Sequence, residues 1–167
     1  QVRKINRRTK EVSLVAGSVD ASQGAVNGQG TSAKFTYPAG IDVSSDGIFA
    51  IITDNGSQLI RRMEISTNVV STIAGKYGVY SLTDGVGTDA SFNGPRGVAI
   101  SPDRTYALIV DQNHYVIRKI VLSTSVVTTF AGQETSGNVN DVGTNAQFNY
   151  MNEIDISTDG KYALVTD

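Results

Sequence analysis

The chain has 167 residues, 40% hydrophobic and 18% charged, which suits one globular domain with a core of its own. A net charge of -2 offers no general attraction to nucleic acid or anionic lipid, and no apolar run is long enough for a membrane-spanning helix. The absence of cysteine excludes disulfides and thiolate metal sites.

In chain order, the first strand-like phrase is VRKI (Val2–Ile5), followed by VSLVAG ending at Gly17. A glycine-rich connection, VNGQGTSAKF, leads through Phe35 into PAGIDVSSDG and then the apolar run IFAIITD, which ends at Asp54. IRRM (Ile60–Met63) and VSTIAG (to Gly75) repeat the opening phrases. The cycle begins again with TDGVGTDASF and Phe92. Four strand-like pieces follow, Gly97–Ile100, Tyr106–Val110, Tyr115–Leu122 and Val126–Phe130, separated by Pro-Asp, Asn-His and Ser-Thr turn signals. The third pass, VNDVGTNAQF with Phe148, closes on KYALVTD at Asp167.

Gly17, Gly75 and Gly132 end the three Ala-Gly phrases 58 and 57 residues apart, so one repeat covers the whole chain. The units run over about residues 1–57, 58–114 and 115–167. The Tyr106 piece is continuously apolar, as a strand buried on both faces should be, and the Tyr115 piece alternates. No helical periodicity is present. Repeats of this length holding four short antiparallel strands predict an all-β fold, a β-propeller of four-stranded blades, in which radial repetition protects the sheet edges. Gln1–Gly17 supplies the third and fourth strands of a blade and residues 151–167 the first and second, so the two are complementary half-blades. The start at Gln1 in place of methionine points to a processed or excerpted piece. Strands that complete the ends are expected from further blades of the same polypeptide or from another copy.

The pattern Ala-x-Phe-x-x-Pro-x-Gly, Ser-x-Asp, Asp-x-Asn-His-x-x-Ile-Arg-Lys-Ile and Val-x-Thr-x-Ala-Gly resembles the NHL repeat, best over Ala90–Gly132. The resemblance implies six blades, of which this chain would supply half. Asn113-His114 occurs once, against Gly56-Ser57 in the first unit, and Pro38/Gly40 and Pro95/Gly97 become Met151/Glu153 in the third. Some NHL propellers are zinc-dependent lyases, and others bind RNA. A zinc site of that kind needs several histidine or carboxylate ligands converging on one point, and His114 is the only histidine. RNA binding is disfavoured by the acidic balance and the lack of a basic cluster with aromatics. No catalytic, cofactor or metal residue is therefore assigned, and His114 reads as a turn residue.

The recurring arginine is more informative. Arg3, Arg61 and Arg118 occupy one position, each sharing a strand face with apolar neighbours, while the next residue alternates between lysine and arginine. Their expected partners are Asp54, Asp111 and Asp167, in a structural pair repeated in every blade. Phe35, Phe92 and Phe148 read as plugs between blades. The connections before them read as one-turn helices capped by Thr31, Thr88 and Thr144, and Asp84 with Asp89 as a weak calcium candidate. Asn55-Gly56-Ser57 is the one N-glycosylation sequon, expected to be exposed in an Asn-Gly hairpin turn. The resulting functional reading is a non-catalytic scaffold for a protein or glycan, secreted or at the cell surface. Self-assembly into an extracellular array is the alternative, and a zinc-dependent lyase the third.

Overall fold

A computed structural model describes all 167 residues, Gln1–Asp167. The fold is all-β. An N-terminal hairpin pairs β1 (Val2–Ile5) with β2 (Val12–Ala16). The first complete blade contains β3 (Gly28–Gln29), β4 (Pro38–Val43), β5 (Phe49–Asp54), β6 (Leu59–Glu64) and β7 (Val69–Ala74). The second contains β8 (Gly85–Val86), β9 (Pro95–Ile100), β10 (Tyr106–Asp111), β11 (Val116–Val121) and β12 (Val126–Gly132). A last hairpin pairs β13 (Ile154–Ile156) with β14 (Ala163–Val165).

Each complete blade is a four-stranded antiparallel meander with a two-residue fifth strand on its outer edge, in the orders β3-β7-β6-β5-β4 and β8-β12-β11-β10-β9. That fifth strand comes from the connection entering the blade and pairs at the start of the outermost long strand. It covers an edge that would otherwise be open. The first strands β4, β9 and β13 lie next to one another from blade to blade, which sets them nearest the propeller axis.

The core lies between the blades. Phe49, Ile51 and Ile60 of the first blade interdigitate with Phe92, Val98, Ile100 and Ile109 of the second. Leu108, Val110 and Ile117 on its other side meet Met151, Ile154 and Ile156. Each buried aliphatic or aromatic side chain contributes about 1.5–3 kcal/mol. Close approach near the axis explains Gly40 and Gly97. A Cβ on Gly40 would stand 2.3 Å from the Arg96 carbonyl oxygen, and one on Gly97 2.7 Å from that of Asn152. Glu153, at the third such position, is exposed.

The connections do form one-turn helices, Gly30–Ser32, Gly87–Asp89 and Gly143–Asn145, but the threonines do not cap them. Thr31, Thr88 and Thr144 lie inside the turns, each entered through a glycine with φ near +56°, at +55°, +57° and +57°. Left-handed glycines, not capping side chains, start these turns.

Candidate functional site

The polar interior of each blade is built around one arginine. In the first, Arg61 Nη1 donates to Asp54 Oδ2 at 3.2 Å and to the Lys34 carbonyl at 3.1 Å. Its Nη2 donates to the Val26 carbonyl and to Asn27 Oδ1, both at 2.9 Å. Asp54 uses its other oxygen to accept the Thr36 amide at 2.7 Å, and the Phe35 ring lies 5.2 Å from the guanidinium. Arg118 repeats the arrangement with Asp111 (3.3 Å), the Ser91 carbonyl (2.9 Å), the Thr83 carbonyl (3.0 Å) and Asp84 Oδ1 (2.8 Å). Phe92 stands 5.1 Å from it, and Asp111 accepts the Asn93 amide at 2.8 Å.

Both arginines are fully buried. Register shifts aim them inward: β6 against β7 slips between Ile60 and Arg61, β11 against β12 between Ile117 and Arg118. The fork thus ties the loop entering each blade to that blade's third strand. Burial pushes the Asp54 carboxyl up and the Arg61 guanidinium down, against their mutual attraction. Asp84, the calcium candidate, is committed to Arg118.

The third set is divided. Arg3 is exposed and Phe148 only partly covered. Asp167 accepts the Asn149 amide as its counterparts accept Thr36 and Asn93, but it meets no arginine.

Above this frame, five of the seven tyrosines gather on one side of the ring. That side carries the hairpin turns Asn55–Ser57 and Gln112–His114. Tyr37 lies against Gly56, and Tyr150 packs edge-on to Tyr115 with centroids 6.2 Å apart. The backbone of Tyr80 reaches His114, and Tyr77 shares its loop. Tyr37, Tyr77, Tyr80 and Tyr150 are each more than half exposed. Carboxamides stand among them: Asn113 donates to Asn93 at 3.0 Å, and Arg96 to Asn152 at 2.7 Å. Sequence reading passed over these tyrosines because only Tyr37 and Tyr150 share a repeat position, and the second unit has Gly94 there.

No protein-family model matches the chain. NHL repeat-containing protein 2 of Gallus gallus is 33% identical over 96 residues, covering 58% of this chain and 13% of that protein. Its Bos taurus counterpart is 26% identical over 121 residues, covering 70% of this chain and 17% of the relative. The repeats are NHL-like. The chain spans less than a fifth of these relatives, so their similarity speaks to the repeats and not to the whole proteins. In structure, an auxiliary nutrient binding protein from Bacteroides thetaiotaomicron VPI-5482 superposes with a TM-score of 0.72 at 20% identity, covering 98% of this chain and 39% of that one. At that identity the likeness shows the propeller fold alone.

The Asn-His pair of the best NHL-like repeat, Asn113-His114, lies in a turn closed by Tyr115 in the left-handed region. His114 is buried, with Nδ1 3.1 Å from Asp111 Oδ2, the same oxygen that receives Arg118. Burial by itself would lower its pKa. The hydrogen bond and charge of Asp111, the charge of Glu134 and the Tyr80 backbone together hold it above the ordinary 6.5. A histidine whose pKa rises on folding contributes stability fully below its unfolded pKa and loses it as pH rises through the folded value. His114→Ser, which copies the first blade's Ser57, therefore costs more melting temperature at pH 5.5 than at pH 8.5. Thermal scans at the two pH values check this, and equal losses would contradict it.

The equivalent turn in the first NHL-like repeat corrects the reading of the sequon. Asn55–Ser57 is a one-turn helix with Gln58 left-handed, not a two-residue hairpin turn. Asn55 Nδ2 donates across the blade boundary to the Pro95 carbonyl at 3.2 Å, and Ser57 is buried. The amide that would carry a glycan is thus engaged in the contact between blades.

Proposed function

We propose that the chain is a non-catalytic propeller scaffold that binds a polar ligand, a protein segment or a glycan, on its tyrosine-bearing face. One contrast carries this reading. Asp54, Asp111, Arg61, Arg118 and His114, the buried ionisable groups, hold one another and the backbone, while tyrosines and carboxamides project from one rigid side. Tyrosine presents a large, stiff, amphipathic surface at low entropic cost, and it is enriched where proteins meet ligands. The NHL-like repeats and the binding-protein description of the structural neighbour support the same reading.

Panels of immobilised glycans and peptides test it. Replacing Tyr37 and Tyr150 together by alanine should weaken capture of any ligand found by at least about tenfold, as loss of an aromatic anchor does, with the melting temperature unchanged. Undiminished capture would contradict the assignment of the face, and chemical turnover of the ligand would contradict the non-catalytic reading.

A further inference from the structure

The two complete blades differ in charge at one position and make up the difference at another. Asn27 and Asp84 stand at the same place and do the same work with one oxygen. Asn27 Oδ1 accepts from Arg61 at 2.9 Å and from Thr72 at 3.1 Å. Asp84 Oδ1 accepts from Arg118 at 2.8 Å and from Thr129 at 3.3 Å. Geometry therefore does not call for the aspartate, which brings a second negative charge to Arg118 beside that of Asp111. In the first blade Arg61 and Asp54 balance one another, and Ser57 donates to the Asp54 carbonyl at 3.0 Å. In the second, one arginine faces two carboxylates, and His114 stands where Ser57 does. A proton on His114 restores the balance.

These groups form one series of alternating charge. Asp84 meets Arg118 Nη2, Arg118 Nη1 meets Asp111 Oδ2 at 3.3 Å, and the same oxygen meets His114 Nδ1 at 3.1 Å. Both ends of the series close on a single loop, the connection between β7 and β8. At one end Arg118 also holds the Thr83 carbonyl at 3.0 Å, and Ser91 Oγ donates to the Ser81 carbonyl at 2.6 Å. At the other, the His114 ring bonds the Tyr80 backbone. The remaining hydrogen bond of the Lys76–Tyr80 stretch, from the Val79 amide to the Lys76 carbonyl at 3.1 Å, is internal to it. His114 is thus what ties that stretch to the blade.

We propose that His114, acting together with Asp84, is a proton-operated latch on the loop that carries Tyr77 and Tyr80. With the ring protonated, it donates to both the Asp111 carboxylate and the Tyr80 backbone, and the loop is held to the blade. Loss of the proton leaves one donor for two acceptors and an excess negative charge, so the Tyr80 end is released. The charged groups that face the ring are Asp111 from β10, Arg118 from β11 and Glu134 from the segment after β12. Burial opposes the proton, as does the like charge of Arg118, and Asp111, Glu134 and the Tyr80 backbone outweigh them. Asp84 acts through Arg118, whose charge it offsets. That the latch tunes capture by the tyrosine face rests on the function proposed above; the latch itself is tested without a ligand.

His114 is the only histidine, so proton NMR of the whole chain follows its titration alone. The midpoint should lie above 6.5 and fall by about half a pH unit in Asp84→Asn, which copies the first blade's Asn27. Asp89→Asn, also at an exposed aspartate but outside the series of charges, should leave it unmoved. Amide exchange of Tyr77 and Tyr80, corrected for its own dependence on pH, should quicken at least about tenfold between pH 5.5 and pH 8.5. In His114→Ser it should be fast at both. A histidine that merely fills the turn would titrate alike in the two aspartate variants. That result, or loop exchange that does not follow the His114 midpoint, would overturn the proposal.

Discussion

Arg61→Lys is expected to lower stability by about 3 kcal/mol, at the lower end of what breaking a buried ion pair costs. For a chain of this length that is a fall of about 6–12 °C in melting temperature. Lysine keeps the charge but cannot reach Asp54, Asn27 and the carbonyls of Val26 and Lys34 from one planar head, so buried acceptors are left without donors. Arg62→Lys, one residue on, is the matched control. Arg62 is partly exposed, pairs with Glu64 at 2.7 Å and lies over Phe49, contacts a lysine can partly reproduce. Its replacement should cost less than about 1 kcal/mol, as exposed pairs do. Equal effects in thermal scans would contradict the clamp.

Gly75→Ala is expected to be at least as damaging, at about 3–5 kcal/mol. Gly75 has φ +96°, and an added Cβ would stand 2.3 Å from the Gln58 carbonyl oxygen and 3.0 Å from Leu59 Cα. Backbone strain of about 1–3 kcal/mol and overpacking of about the same size fall on one residue. The chain leaves each blade here, passing close under the start of the third strand. Gly132 repeats the contact, 2.4 Å from the Tyr115 carbonyl oxygen. Gly47→Ala separates the two causes. It shares the positive φ, +71°, but nothing lies within 4 Å of its would-be Cβ, so it should cost only about 1 kcal/mol. Urea denaturation of the two variants reads the difference, and comparable losses would refute the steric part of the account.

These two positions also show what sequence can carry. The Ala-Gly phrase and the Arg-Asp spacing recur in register, so the period, the strands and the identity of the paired residues could be read before any coordinates. The Tyr106 run was legible as a central strand because continuous apolar character means burial on both faces, and β10 lies between β9 and β11. What could not be read depends on chain folding back from a distance. The carbonyls of Val26, Lys34, Thr83 and Ser91 have no side-chain signature, yet they make half of the contacts to each guanidinium fork. The two-residue strands Gly28–Gln29 and Gly85–Val86 are too short to show any period. Asn55 misled for a similar reason: Asn-Gly is a strong local turn signal, but Pro95, forty residues away, takes its amide.

Divergence among the copies separates frame from surface. Asp, Arg and Phe persist through the three units, whereas Tyr37, Gly94 and Tyr150 occupy one position and Gly56, Asn113 another on the tyrosine side. Positions that hold the blade together are constrained by identical neighbours in each blade, and exposed positions such as Tyr37, Asn113 and Tyr150 are not.

The claim that one arginine clamp organises each blade is tested most directly by a double-mutant cycle on Arg118 and Asp111, using Arg118→Lys, Asp111→Asn and the double variant in urea. Both residues share the interior with His114 and Ser91, so their losses should be strongly coupled, by at least about 1.5 kcal/mol, the double variant costing far less than the sum of the singles. Additivity within about 0.5 kcal/mol would mean that the two residues act independently and that no clamp exists.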